Sequence, residues 1–169
     1  MAVTTHEEPV VELRPATPAD VAAIARIWHE GWGDGHLGNV PAALVAVRTA
    51  HSFGLRAPQR VADTAVATVG GEVAGFVMVV DDEVEQVYVD ANHRGTTVAR
   101  SLLAEAERRV AARGHTRAWL AVVNGNARAR RFYERNGWTD EGLFEYLAAS
   151  DSGPIRVPCH RYAKRVAAS

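Results

Sequence analysis

The chain has 169 residues, of which 47% are hydrophobic and 23% are charged, and its formal net charge is −1. This mixture is typical of a globular domain and argues against intrinsic disorder. Because the charge is near neutral, no overall field would attract nucleic acid or an anionic membrane, and neither is expected as a partner.

The length fits a single domain over residues 1–169, with residues 1–9 expected to be flexible. Cys159 is the only cysteine, so no disulfide can form within the chain and a reducing compartment is indicated. The N-terminus lacks the apolar segment of a signal peptide, and apolar runs such as Phe76–Val80 are too short to span a bilayer. We therefore predict a cytoplasmic protein.

The first part of the chain predicts a strand followed by helices. Val10–Arg14 has the composition of a short strand, and Thr17 then marks a helix N-cap. Apolar residues recur at helical spacing from Val21 to Trp28, which predicts a helix ending near Gly31. The glycine-rich segment Gly31–Asn39 is predicted to be a loop, and irregular helical stretches follow it.

The rest of the chain predicts a three-strand meander and then alternating helices and strands. Strands are predicted over Ala62–Val69, Glu72–Val80, Glu83–Val89, Arg117–Val123, Trp138–Leu147 and Ile155–Val166. Amphipathic helices are predicted over Arg94–Arg113 and Asn126–Asn136. With the N-terminal strand, this order predicts a mixed α/β sheet of about seven strands, flanked by about four helices.

The passage from Gln86 to Leu103 carries the clearest chemical signal. A valine-rich strand ends in a polar loop that contains Arg94 and Gly95, and an amphipathic helix begins at once. Unpaired backbone N–H groups and the dipole at a helix start form an anion site. Gly95 lets the backbone approach a phosphate closely, and Arg94 adds a charged fork. Taken alone, the loop is equally well explained as a simple connection.

The segment Arg94-Gly95-Thr96-Thr97-Val98-Ala99 resembles the cofactor loop of the GCN5-related N-acetyltransferase superfamily, which reads Arg/Gln-x-x-Gly-x-Gly/Ala. In that family the backbone amides of this loop hold the pyrophosphate of coenzyme A. The resemblance therefore implies that all six residues contact the cofactor. Arg94 and Ala99 match the pattern, whereas Thr97 stands where glycine is usual.

A second motif, from Asn126 to Trp138, resembles the superfamily signature Asn-x-x-Ala-x-x-Phe-Tyr-x-x-x-Gly-Phe, with Trp for the last Phe. By this resemblance Asn126 and Arg130 contact the cofactor, and Tyr133 is the acid that protonates the departing sulfur of coenzyme A. Taken alone, Tyr133 would be interpreted as a core aromatic residue. Two motifs in the right order, separated by one strand, identify the chain as a member of the superfamily.

The resemblance implies transfer of an acetyl group from acetyl-CoA to a primary amine, by direct attack in a ternary complex. The backbone of Val87, Tyr88 and Val89 is the implied cradle for pantetheine, at a gap between neighbouring strands. Because side chains alternate along a strand, Glu83, Glu85, Val87 and Val89 are predicted to share one face. Glu85 is the candidate base and Glu83 the second candidate. A carboxylate that discourages edge pairing explains Glu85 equally well.

The acceptor pocket is expected to come from the segment Trp28–Arg60 and from the turn near Tyr146 and Arg156. Trp32, Asp34 and His36 suit a polar or cationic ligand, although loop solvation is a common role for such residues. A small molecule such as an aminoglycoside, a metabolite or an amino acid fits the framework, and so does a peptide or protein N-terminus. The seven histidines show no metal-ligand spacing, so no metal is predicted. A homodimer through the C-terminal strands is common for this scaffold and is one arrangement open to this chain.

Two other functions stay open on the sequence. A non-catalytic acyl-CoA-binding sensor or interaction domain on the same scaffold would explain Thr97 in the cofactor loop. Tyr133 and a strand carboxylate favour catalysis instead. A small nucleic-acid-binding domain would need a basic stripe, and the glutamates interspersed among Arg108, Arg109 and Arg113 argue against one.

Overall fold

The computed structural model describes residues 9–167, and its elements follow the predicted order. Within these residues the strands are β1 (Val11–Pro15), β2 (Thr64–Val69), β3 (Glu72–Val80), β4 (Glu83–Val89), β5 (Arg117–Val123), β6 (Thr139–Ala148) and β7 (Ile155–Arg165). The α-helices are α1 (Val21–His36), α2 (Ala42–Val47), α3 (Ala50–Arg56), α4 (Val98–Ala112) and α5 (Ala127–Arg135). Short 3-10 turns occupy Pro18–Asp20, Ala57–Asp63 and Ala91–His93. The expected flexible N-terminus concerns residues that, apart from Pro9, lie outside the described part.

The strands form one sheet in the order β1-β2-β3-β4-β5-β7-β6. All neighbours are antiparallel except β4 and β5, which run parallel and are connected through α4. One core cluster packs α4 and α5 against one face, with Leu102 and Tyr162 fully buried. The other packs α1, α2 and α3 against the opposite face around Trp28 and Phe53. The predicted mixed α/β sheet is confirmed.

Strands β4 and β5 lie side by side for a short distance and then diverge. Glu83 and Trp119 form their single register pair among the described residues, and the Trp119 N–H donates to the Asp82 carbonyl at 3.1 Å. Beyond this point the edge of β4 that faces β5 has no strand partner, while its other edge stays paired with β3. The predicted gap between the Val87 strand and the Trp119 strand is therefore present.

A β-bulge interrupts β4 in its middle. On the β3 side, Val79 pairs with Val84, whereas the next residue back, Met78, pairs with Gln86. Glu85 is therefore an extra residue without a register partner, which bends the strand and breaks its alternation.

The bulge overturns the prediction that Glu83, Glu85, Val87 and Val89 share one face. Val87 and Val89 pack with the core on the α4 side, as Val84 does. Glu83 and Glu85 instead bond to side chains from the α1 side of the sheet. The prediction is wrong because one inserted residue moves every later side chain to the other face.

α1 continues to His36, so the predicted loop over Gly31–Asn39 is wrong for most of its length. Glycine costs a helix about 1 kcal/mol relative to alanine, which is why the segment predicts a loop. The structure shows what offsets this cost, because a Cβ on Gly31 would overlap the ring of Tyr88. Close packing of α1 on β4 therefore overrides local propensity. None of the helices within residues 9–167 has the length and apolarity to cross a membrane.

Candidate functional site

A cavity of about 760 Å³ opens where β4 and β5 separate. This volume is in the range of small-molecule sites. The cavity is lined by Glu83–Val89 of β4, by residues 120–123 of β5, and by residues of α1, α4 and α5. Because the β5-facing edge of β4 is unpaired, its backbone N–H and C=O groups are available to a ligand in the cavity.

The loop between β4 and α4 forms part of the cavity wall. The residues of this loop and of the first turn of α4 that line it are His93, Arg94, Gly95, Thr96 and Ala99. Gly95 has φ 74°, a conformation that glycine adopts without strain. Thr97 immediately precedes α4 with φ −77°, which any residue adopts, and it does not line the cavity. The backbone conformation at position 97 therefore does not require glycine. The side chain of Val98 belongs to the core, so only its backbone is available to a ligand.

Asp34, predicted for the acceptor site, forms an ion pair with Arg94 of this loop at 2.5 Å. Its side chain is 51% exposed, and that of Arg94 is 32% exposed. The pair joins the last turns of α1 to the loop, and Asp34 itself does not line the cavity. The structure thus places Asp34 beside the predicted anion site.

Asn126 caps α5 and lines the cavity. Its Oδ1 accepts a hydrogen bond from the Ala129 N–H at 3.2 Å, which leaves the Nδ2 group as a donor. A Cβ on Gly35 of α1 would lie 2.9 Å from this Nδ2 atom. Glycine at position 35 therefore makes room for the amide at the cavity.

Arg130 lies away from the cavity. Its guanidinium donates to the hydroxyl of Tyr162 at 3.2 Å and pairs with Asp140 at 3.3 Å. Arg128 and Arg135 of the same helix line the cavity instead, although the sequence interpretation did not single them out. The helical repeat could have identified them. At 3.6 residues per turn, positions 128 and 135 lie on the same face of α5 as Phe132, whereas position 130 does not.

Tyr133 lines the cavity from α5. Its ring packs edge-on against Trp138, with centroids 6.2 Å apart, and is tilted against Phe132 at 5.3 Å. Burial raises the pKa of the Tyr133 hydroxyl above its ordinary value. In the described part of the chain no group forms a hydrogen bond with this hydroxyl. It is therefore a protonated donor without a protein acceptor.

The two strand carboxylates that line the cavity differ in their partners. Glu85 accepts two hydrogen bonds from the guanidinium of Arg60, at 2.7 and 3.0 Å. Glu83 accepts one hydrogen bond from the Tyr146 hydroxyl at 2.7 Å. Burial, the largest cause, raises the pKa of Glu83, and the hydrogen bond from Tyr146 opposes it. Glu83 is thus the carboxylate with raised basicity, and Glu85 is held as an ion pair.

Trp32 and His36, predicted near the acceptor, both line the cavity from α1. Their rings stack at 4.8 Å, and His36 Nδ1 lies 2.9 Å from the Trp32 carbonyl oxygen. Burial lowers the pKa of His36, which keeps the ring neutral at physiological pH. Tyr146 lines the cavity as well, bound to Glu83.

Arg48 and Arg56 also line the cavity. Both lie in the segment Trp28–Arg60 predicted to form the acceptor pocket, although the sequence did not single them out. Arg48 directly follows α2 and Arg56 is the last residue of α3, and no motif covers these helices. Eighteen of the nineteen basic residues are arginine, so residue type provided no signal. Among residues 9–167, no group of three or more His, Cys, Asp or Glu side chains comes together to hold a metal ion.

Comparison with known proteins places this geometry in a family. The model of the acetyltransferase (GNAT) family matches residues 22–138. Uncharacterised N-acetyltransferases of Mycobacterium tuberculosis and Mycobacterium bovis are 31% identical over 77 residues. That match covers 43% of this chain and 49% of theirs, so the chain spans about half the length of these curated relatives.

Two solved structures share the fold over nearly the whole chain. A GCN5-related N-acetyltransferase from Rhodopseudomonas palustris has a TM-score of 0.70 at 20% identity, covering 94% of this chain and 96% of that one. A putative acetyltransferase from Salmonella typhimurium, solved with its cofactor acetyl-CoA, has a TM-score of 0.68 at 19% identity, covering 95% and 96%. The family model, matched over more than half of the chain, and this common fold show that the chain belongs to the acetyltransferase (GNAT) family, which uses acetyl-CoA.

Proposed function

We propose that this protein transfers the acetyl group of acetyl-CoA to a primary amine of a small molecule or a peptide N-terminus, by direct attack in a ternary complex. The observation that carries the proposal is the cavity between β4 and β5, because it brings a protonated phenol, a carboxylate of raised pKa and an anion-binding loop to one space. When bound, acetyl-CoA supplies a thioester that is activated for attack by an amine.

The residues around the cavity suit acetyl-CoA. The backbone at Gly95 and the guanidinium of Arg94 suit a diphosphate. The unpaired edge of β4 at Val87–Val89 and the Nδ2 group of Asn126 suit the amides of pantetheine. A protein of similar fold solved with acetyl-CoA supports this assignment. Arg130 is not included, because its side chain is bound elsewhere.

Tyr133 is proposed as the general acid. The departing thiolate needs a proton, and the raised pKa of Tyr133 keeps its phenol protonated until that step. Its hydroxyl has no acceptor among the described residues, so the proton is free to be donated into the cavity.

Glu83 is proposed as the base that removes the proton of the amine, directly or through water. A carboxylate of raised pKa is a better base near neutral pH than an ordinary one. Glu85, the first candidate on the sequence, accepts two hydrogen bonds from the guanidinium of Arg60, so both of its oxygens are engaged within the protein. The ion pair therefore favours the second candidate.

Calorimetry with acetyl-CoA and release of free thiol over a panel of amines test this function. Absence of binding at concentrations up to about 1 mM would remove the proposal altogether, since Michaelis constants of enzymes are mostly ~1 μM to 1 mM. Binding without thiol release from any amine would support the non-catalytic sensor instead.

Tyr133→Phe tests the general acid. We expect kcat to fall by about 10²-fold, because one acid contributes roughly 10²- to 10⁴-fold. The dissociation constant for acetyl-CoA should stay within about twofold, because the ring and its packing are kept. Unchanged turnover in this variant would end the role of Tyr133 as the acid.

A further inference from the structure

Two half-buried arginines of the cavity have no carboxylate partner among the described residues; the other unpaired arginines that line it, Arg128 and Arg135, are exposed. The Arg48 guanidinium donates to the backbone oxygen of Ala149 at 2.6 Å, and Arg56 lies over the ring of Trp28 at 4.4 Å. Both side chains are half-buried. By contrast, Arg60 and Arg94 are each paired with carboxylates.

The two unpaired guanidinium groups lie near each other. Burial lowers the pKa of both, that of Arg56 to about 10, and the positive charge of Arg48 adds to the lowering at Arg56. Half-buried cations that repel each other are unfavourable unless an anion joins them. Glu85 is the nearby carboxylate, and its two oxygens are already occupied by Arg60. The protein itself therefore leaves this pair without a counter-ion.

The cavity thus has two oppositely charged regions. The carboxylates Glu83 and Glu85 lie on β4, and the unpaired, half-buried cations Arg48 and Arg56 lie directly after α2 and at the end of α3. The planar guanidinium fork matches a carboxylate in geometry as well as in charge. A molecule with an amine at one end and a carboxylate at the other complements both regions.

We propose that the acceptor is a small amine that carries a carboxylate, of the α-amino acid class, with the carboxylate bound by Arg48 and Arg56 and the amine facing Glu83. This inference rests on the proposed function. Polycationic amines such as aminoglycosides are disfavoured by the same two unpaired charges. A peptide N-terminus is disfavoured because its α-carboxylate is lost in the peptide bond.

Matched substrates test the inference. The probes are the common L-α-amino acids, their C-terminal amides, simple alkyl amines and an aminoglycoside, all assayed with acetyl-CoA by thiol release. We expect kcat/KM for the preferred amino acid to exceed that of its amide by about 10- to 100-fold, because a charge-assisted hydrogen bond to a carboxylate is lost in the amide.

Substitution of each arginine shows whether this preference comes from the two side chains. Arg56→Gln and Arg48→Gln are each expected to lower kcat/KM for the amino acid by about tenfold, mainly through KM, and to change that of the amide by less than about twofold. Arg108→Gln is the control, because Arg108 is 66% exposed on α4 and does not line the cavity. The melting temperature of each variant shows whether it is folded, its acetyl-CoA affinity is measured separately, and two separate variants keep the test valid if one fails to fold.

Three outcomes overturn the inference. Amino acid amides that react as well as the free amino acids would show that the carboxylate is not recognised. Turnover of only the alkyl amines or the aminoglycoside would support acetyl transfer but remove this substrate class. A loss of acetyl-CoA affinity in Arg48→Gln or Arg56→Gln, with an unchanged KM for the amine, would assign the arginines to the cofactor. Absence of thiol release with every amine would instead remove the proposed function.

Discussion

At the scale of single residues, the environment of each side chain assigns its chemistry. Glu83 and Glu85 lie two positions apart on β4 and both line the cavity, yet only Glu85 is paired with Arg60. Burial with a single hydrogen-bond donor, Tyr146, leaves Glu83 with a raised pKa. In the proposed mechanism the same residue type therefore has two roles, structural for Glu85 and chemical for Glu83.

The roles of the two carboxylates can be separated by substitution. Glu83→Gln is expected to lower kcat by about 10²-fold, and Glu85→Gln by much less. Because the pKa of Glu83 is raised, kcat/KM should fall as the pH drops through that raised value. Tyr146→Phe removes the donor that stabilises the carboxylate, so it should move this fall to higher pH. An unmoved profile in Tyr146→Phe, or a larger loss in Glu85→Gln, would contradict the assignment.

The free energy of unfolding depends on the ionisation of Glu83 in the opposite sense to kcat/KM. A raised pKa in the folded state means that the native protein binds this proton more tightly than the unfolded chain does. Ionisation of Glu83 therefore lowers stability as the pH rises from the unfolded value through the raised one. We expect Glu83→Gln to melt at a higher temperature than the wild type near neutral pH, and this advantage should disappear in acid, where both side chains are neutral.

The Asp34–Arg94 ion pair provides a second residue-scale prediction. An exposed pair contributes at most about 1 kcal/mol, so a diphosphate can displace it at little cost. Asp34→Asn removes a negative charge beside the anion site and should tighten acetyl-CoA binding by about two- to fivefold in calorimetry at low salt, less at high salt. Glu30→Gln is the matched control, because Glu30 is equally exposed (51%) one helical turn away. Weaker binding in Asp34→Asn would mean that Asp34 orients Arg94 instead.

At the scale of elements, the fit of α1 on β4 determines the shape of the cavity wall. Glycines that disfavour a helix in isolation allow the backbone of α1 to approach Tyr88 at Gly31 and Asn126 at Gly35. Gly33, between them, meets only Leu37 at 3.7 Å. For substitution by alanine, helix propensity therefore predicts stabilisation at both Gly31 and Gly33, whereas packing predicts destabilisation at Gly31.

Gly31→Ala and Gly33→Ala test this difference. Gly33→Ala is expected to stabilise the protein by about 0.5–1 kcal/mol, because alanine is the better helix former and its Cβ makes an ordinary contact. Gly31→Ala is expected to destabilise it by about 1–3 kcal/mol, because the Cβ overlaps the Tyr88 ring. Urea unfolding measures both. Stabilisation by Gly31→Ala would show that α1 does not pack on β4 as described.

At the scale of the whole molecule, the separation of β4 and β5 leaves the middle of the sheet incomplete. Antiparallel pairs hold β1 to β4 on one side and β5, β7 and β6 on the other, and a single register pair joins β4 to β5. Helix α4, which packs on β3, β4 and β5, connects the two parts. A ligand that bonds to the unpaired edge of β4 should therefore stabilise the entire fold.

Acetyl-CoA is expected to raise the melting temperature. At about 100 times its dissociation constant a ligand adds about 2.7 kcal/mol, which corresponds to a shift of roughly 5–10 °C for a chain of this size. ADP has a diphosphate but no pantetheine, so at equal concentration it should produce a smaller shift in a thermal melt. Equal shifts would argue against binding of pantetheine along β4.

The cytoplasmic location and the homodimer stay predictions.

Features that depend on local chemistry were determined by the sequence alone. These are the order of strands and helices, the Arg94–Ala99 loop at the start of a helix and the Asn126 cap of α5. Each depends on residues within a few positions of one another, so turn, cap and periodicity rules describe it.

Contacts between distant parts of the chain were decided only by the tertiary structure. They place Glu85 against Arg60, extend α1 through its glycines, turn Arg130 away from the cavity and leave Arg48 and Arg56 unpaired inside it. Burial and charge pairing arise between residues that are remote in sequence, and a bulge changes which face of a strand a side chain occupies. No local pattern carries that information, because it exists only once the sheet has formed.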